Sequence, residues 1–156
     1  MSSQVLRLYR RLERRPFGKW LFSRLVCHKA PYFAGIAPRI VDLRPGRGEA
    51  TIAHRRRVTN HLGTVHAIAL CNLAEFIGGL TTDASLPSSM RWIPRGMQVE
   101  YLAKAVGTMR AVATPTFAPH EAGAGYELPV EVRVNCASGR TVFQARISMW
   151  ISPRKA

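Results

Sequence analysis

The sequence predicts an α+β fold: an antiparallel β-sheet wrapped around one long central helix, with an extra helix at the N-terminus. Three observations carry that reading. The stretch HAIALCNLAEFIGGL at 66–80 is apolar on nearly every side, as a helix buried by its surroundings must be. Several stretches after it alternate apolar and polar residues with a period of two, the mark of strands covered on one face. The order helix, two strands, apolar helix, then about four strands points to an antiparallel sheet packed on that helix.

Taken in order, the first element is a helix running to about Arg15. Ser2 or Ser3 is its cap, and Val5, Leu8, Tyr9 and Leu12 lie on one side. Pro16 interrupts or restarts the helix. Phe17, Trp20, Leu21 and Phe22 then form an apolar group that must pack on the body, on a partner or on lipid. Two strands follow, over 36–43 and 49–58, joined by the turn RPGRG with Pro45, Gly46 and Gly48 as its turn residues. After the apolar helix, TTDASLPSSM at 81–90 reads as a polar loop. A strand then places Met97, Val99, Tyr101, Ala103 and Ala105 on one side, and another over 109–116 does the same for Met109, Ala111 and Ala113. The last two strands form a hairpin about the turn ASGR. Leu128, Val130, Val132 and Val134 alternate on one arm, and Phe143, Ala145, Ile147, Met149 and Ile151 on the other.

A chain of 156 residues with 47% hydrophobic content is the size of one globular domain and can bury a full core. No run of 18 apolar residues and no secretory signal is visible, so a soluble cytoplasmic protein is expected. Cys27, Cys71 and Cys136 lack metal-ligand spacing and read as small buried apolar residues. His28, His54, His61 and His120 read as structural or surface residues, with no pairing that resembles a metal site. The formal net charge is +14, and it is concentrated: residues 1–57 hold 14 basic and 3 acidic side chains. Such a field attracts polyanions, whether a membrane surface or a ligand with several phosphates. No zinc spacing or nucleic-acid motif supports nucleic acid. The basic amphipathic pattern over 5–24 permits contact with a membrane surface.

The lone carboxylate of the apolar helix, Glu75, asks for an explanation. Burial would raise its pKa, and acids shifted in that way concentrate in working sites. Asn72, three residues earlier, shares its face with Ile68 and Gly79. At the other end, Gly63, Thr64, Val65 and His66 lead into a first turn whose free N–H groups, at the positive end of the helix dipole, can stabilise an oxyanion. His66 and Glu75 are nine positions apart, about 13 Å along a helix. One reacting carbonyl can meet both only if they come from two copies of the chain, with antiparallel helices across a dimer interface.

The pattern N-x-x-G-T-x-H-x-x-x-L-x-x-L-x-E at 60–75 resembles the helix-start motif of hotdog-fold acyl-CoA thioesterases of the phenylacetate-pathway type. QVEYLAKAVGTMRAVA resembles the stretch that follows that helix in the same family. KAPYF, NHLGTVHAIALCNLAE and RWIPRGM are closest to a bacterial branch of the hotdog superfamily, and these segments together cover most of 29–151. The resemblance implies a hotdog domain over 29–156 behind a basic helical extension over 1–28. It also implies a homodimer or homotetramer and hydrolysis of a thioester, with coenzyme A as part of the substrate and neither a cofactor nor a metal. By position, Glu75 matches the general base or nucleophile and Asn60 the residue that orients water or the thioester. The N–H near Ala67 matches the oxyanion donor, with His66 supporting that turn. Where the family has H-G-G this chain has H-A-I, so that the Cβ atoms of Ala67 and Ile68 narrow the approach. That departure suits a second reading, a non-catalytic protein binding acyl-CoA or acyl carrier protein. Gly63, Thr64, Ile68 and Asn72 are expected around the substrate, with Leu70, Leu73, Phe76 and Ile77 lining the acyl group. Arg55, Arg56, Arg57, Arg95 or Lys104 would meet the CoA phosphates.

Overall fold

The computed structural model describes residues 3–154; Ser2 lies outside them. Helix α1 (Gln4–Leu12) is capped by Ser3, whose Oγ accepts the Leu6 N–H at 3.1 Å. It buries Leu6, Tyr9 and Leu12, whereas Leu8, expected on that face, is exposed. Helix α2 (Gly18–Lys29) follows a turn and runs into a short 3₁₀ turn, Pro31–Gly35. Phe22 alone of the expected apolar group packs inward, edge-on against Tyr9 at 5.3 Å between ring centres. Both helices therefore share the core of the sheet rather than standing apart from it.

Six strands form one antiparallel sheet in the order β1-β2-β4-β5-β6-β3. They are β1 (Arg39–Arg44), β2 (Arg47–Ile52), β3 (Met90–Tyr101), β4 (Met109–Pro115), β5 (Tyr126–Asn135) and β6 (Thr141–Pro153). The alternating residues of β4, β5 and β6 all turn inward, as their pattern predicts, onto the central helix α3 (Ala67–Ser85). Leu73, Phe76 and Ile77 of α3 meet them in the main core.

Several boundaries differ from expectation: α1 stops at Leu12 rather than near Arg15, and β1 begins at Arg39 rather than at 36. Strand β2 ends at Ile52, and a second 3₁₀ turn, Arg56–Val58, stands where strand was expected. Helix α3 continues five residues into the supposed loop, through Ser85. Thr81 and Thr82 are fully buried there because their hydroxyls donate to the carbonyls of Ile77 and Gly78, at 2.7 and 2.8 Å. Strand β3 begins at Met90 and stops at Tyr101, so Ala103 and Ala105 belong to a loop. The turn residue between β1 and β2 is Gly46, with φ at 81°. Gly48 matters for a different reason. A Cβ on it would come within 2.1 Å of Thr81 Oγ1, so its bareness lets α3 lie close on the sheet. Of the cysteines only Cys27 is fully buried; Cys71 and Cys136 are half-buried.

The buried acid of the chain is Glu49 on β2, only 4% exposed. Arg47 meets it at 3.1 Å, and Arg110 of β4 places both Nε and Nη2 on Oε1. Glu49→Ala is expected to lower unfolding free energy by about 2 kcal/mol, because charge-assisted bonds to a buried carboxylate are lost while water still reaches both guanidinium groups. Urea midpoints of Glu49→Ala and Arg110→Ala check this, with the larger loss expected for the arginine change, which leaves the buried Oε1 without a partner among the described residues.

Tyr9 makes stability fall at high pH. Its buried hydroxyl has no well-placed hydrogen-bond partner among the described residues. Burial pushes its pKa from 10.0 up to about 12, and the carboxylates of Glu13 and Asp42 push the same way. The fold thus favours the neutral phenol, a contribution complete below pH 10.0 and lost as pH rises through about 12. Tyr9→Phe should keep neutral-pH stability and flatten this alkaline loss, as read from urea midpoints across that range.

Candidate active site

The loop before α3 is organised by its own polar groups. Asn60 Oδ1 accepts the N–H groups of Leu62 and Thr64 at 3.0 and 3.1 Å, and its Nδ2 donates to Thr64 Oγ1 at 3.0 Å. Asn60 thus shapes the turn containing Gly63, whose φ of 72° completes it. Thr59 and Val65 bridge across its base. His54, which the sequence reads as a structural or surface residue, is the strut behind it. Its Nδ1 accepts the Gly107 N–H at 3.0 Å, so its Nε2 carries the proton that meets the Gly63 carbonyl at 2.9 Å. The Val65 N–H donates to the Ala105 carbonyl at 2.8 Å, which fastens the β3–β4 loop to the same place.

His66 is the cap of α3. Its Nδ1 accepts the Ile68 N–H at 3.0 Å, and its carbonyl accepts the N–H groups of Ala69 and Leu70. Among the four N–H groups that open a helix, this leaves the Ala67 N–H without a partner among the described residues. It lies at the positive end of a 19-residue helix, where a developing negative charge is favoured. Beside it runs an open groove of about 580 Å³, whose lining includes Tyr32, Ile36, Arg57, His66, Ile68 and Asn72. Asn72 Oδ1 is buried without a partner among the described residues. Ile68 is 54% exposed, so its branched side chain forms part of the groove's rim rather than of the core.

Glu75 is exposed in the single chain, so the burial expected of it is not provided by its own fold. It makes no hydrogen bond or ion pair among the described residues. Leu70, Leu73, Phe76 and Ile77, expected around an acyl group, are instead buried in the chain's own core. Arg57 lines the groove, and Arg55 reaches the Gly35 carbonyl at 3.4 Å. Arg95 lies elsewhere, at the β3 bulge, stacked 3.6 Å over the Trp150 ring. Lys104 is exposed on the β3–β4 loop. Tyr101, at the end of β3, joins Cys71 of α3 at 3.2 Å, and this hydrogen bond raises the phenol's pKa. Exposed Leu62, Ile68, Tyr101, Leu102 and Val106 stand on these mutually bonded segments. Among the described residues no group of His, Cys, Asp and Glu is arranged to hold a metal. Among the same residues no helix is long and apolar enough to cross a membrane.

Six antiparallel strands in this order, wrapped on one long helix, make this a hotdog-fold protein, and its structural neighbours include thioesterase-family proteins. Within that class the chain belongs to the family described as domain of unknown function DUF4442, whose model matches residues 18–151. The crystal structure of the structural-genomics target APC5556 is 47% identical over 97% of each chain, with a TM-score of 0.81. The thioesterase HI1161 from Haemophilus influenzae is 17% identical over 83% of this chain and 87% of its own, with a TM-score of 0.71. The protein BH2602 from Bacillus halodurans, solved with CoA, is 22% identical over 66% of each chain, with a TM-score of 0.58. No curated protein matches the chain.

Proposed function

We propose that this protein is an acyl-CoA thioesterase of the phenylacetate-pathway type, acting at two sites shared between the copies of a homodimer. The observation that carries the reading is the unpartnered Ala67 N–H, which lies between two residues that line the groove, His66 and Ile68, and stands on the same helix as an unpartnered carboxylate. The thioester carbonyl accepts from Ala67, while Glu75 of the partner subunit takes a proton from water as its oxygen attacks the carbonyl carbon. The tetrahedral intermediate then expels the CoA thiolate, which recovers that proton, giving acid and thiol.

Strand β3 ends the sheet with an unpaired edge of 12 residues. Such an edge is a template for pairing with a second copy, and the exposed apolar side chains near it would be covered by the same contact. Arg57, with Arg55 and Arg56 beside it, is placed to meet CoA phosphates, and Tyr32, Ile36 and Ile68 offer apolar contact to a fatty or aromatic acyl group. The thioesterase and CoA-bound relatives support both assignments.

The test is thiol release from short, long and aromatic acyl-CoAs, run beside direct binding of the same compounds and sedimentation of the free protein. Hydrolysis by a dimer is expected. Binding without any turnover would leave an acyl-thioester binder, and an active monomer would refute the shared site.

A further inference from the structure

Phe17 is held in a conformation that a side chain rarely adopts. Its φ is 58°, in the left-handed region that glycine enters freely, and its ring is 85% exposed at the tip of the α1–α2 hairpin. Nothing among the described residues compensates by covering the ring.

The same exposure continues along α2. Phe22, Ser23 and Cys27 face inward, while Trp20, Leu21 and Leu25 on the other side are 51%, 41% and 41% exposed. Around them, residues 4–29 carry eight basic side chains and one acid. Arg10, Arg14, Arg15 and Arg24 are all exposed. The hairpin is fixed to the body. Lys19 Nζ donates to the Val41 carbonyl at 2.5 Å, and Ser23 Oγ accepts the Ile40 N–H at 2.9 Å.

We propose that this hairpin docks the protein on an anionic phospholipid surface, with Phe17 and Trp20 entering the headgroup and acyl boundary and the arginines on lipid phosphate and carboxylate groups. Aromatic and leucine side chains beside arginines on a rigid, short helix are the composition of an in-plane interfacial element. At 12 residues α2 is too short to span a bilayer. The hairpin of a second copy is disfavoured as the occupant, because it would set eight basic side chains against eight. The inference stands apart from the thioesterase reading.

Co-sedimentation of the full chain with vesicles of phosphatidylcholine alone, and of equal parts phosphatidylcholine and phosphatidylserine, tests it. Pelleting is expected only with the serine lipid and should fall as salt rises. Phe17→Gly should weaken partitioning at least about tenfold, the loss of one inserted ring. The same variant should melt no lower than wild type, since glycine accepts this φ, so weaker partitioning cannot be put down to unfolding. Trp20→Ser should weaken it similarly. A wild type that stays in solution with serine-lipid vesicles would overturn the proposal, as would variants that pellet like wild type. Binding to an acidic carrier protein with no vesicle binding would assign the patch to that partner and refute the lipid assignment. A variant that loses self-association instead of vesicle binding would assign it to a second copy, with the same consequence.

Discussion

Glu75→Gln is expected to lower acyl-CoA turnover by about a hundredfold to ten-thousandfold, the range a positioned general base supplies. Thioester binding and unfolding free energy should stay near those of wild type. The expectation combines two facts. Glutamine keeps the shape and polarity of the side chain but cannot take a proton from water. Glu75 is exposed and makes no hydrogen bond or ion pair among the described residues, so the fold loses nothing when its charge is removed. Glu49→Ala is the matched contrast, because its carboxylate is buried and held by two arginines. One acid should therefore govern rate without stability, and the other stability. Turnover in heavy-oxygen water tests the nucleophilic role of Glu75. A nucleophile forms an anhydride with the acyl group, and water attacking the Glu75 carbonyl carbon of that anhydride leaves heavy oxygen in the side chain, so label found there establishes the nucleophile. A general base leaves the side chain unlabelled. Unchanged turnover in Glu75→Gln would remove this residue from the reaction.

Much of this arrangement is legible in the sequence wherever one face of an element is covered. The β5–β6 hairpin and β4 alternate cleanly because α3 buries one side of each. Strand β3 lies at the sheet's edge and is exposed along most of its length, so no alternation marks its first half, and Pro94 and Gly96 at its bulge read as breakers. The end of α3 is obscured by Thr81 and Thr82, whose polarity suggests a loop until their hydroxyls are seen bonded to the preceding turn. The motif at 60–75 locates the helix start without revealing that His66 caps it. It does not show that Asn60 spends its side chain on its own loop, or that His54 braces that loop through Gly107, a contact across 53 positions. Nor does composition tell which acid is buried. Glu75 stands in an apolar helix yet faces out, and Glu49 stands in an ordinary strand and faces Arg110.

The strongest test of a site divided between two chains is Ala67→Pro. Proline at the first helical position removes one N–H and leaves the helix intact. The residue before it must be extended, and His66, at φ −64° and ψ 139°, already is. Turnover should fall about a hundredfold to a thousandfold, as when one oxyanion donor is removed, with little change in melting temperature. Combining this variant with Glu75→Gln then becomes decisive. In a homodimer of the proposed form, each mixed dimer holds one site with both groups intact and one with neither. Random exchange makes half the dimers mixed, so about a quarter of wild-type activity should return from two inactive preparations. If Ala67 and Glu75 of the same chain served one carbonyl, every site in the mixture would lack one group and nothing would return. The distance along α3 argues for recovery: nine residues separate the capping histidine from the acid, about 13 Å, which one bound thioester carbonyl cannot bridge.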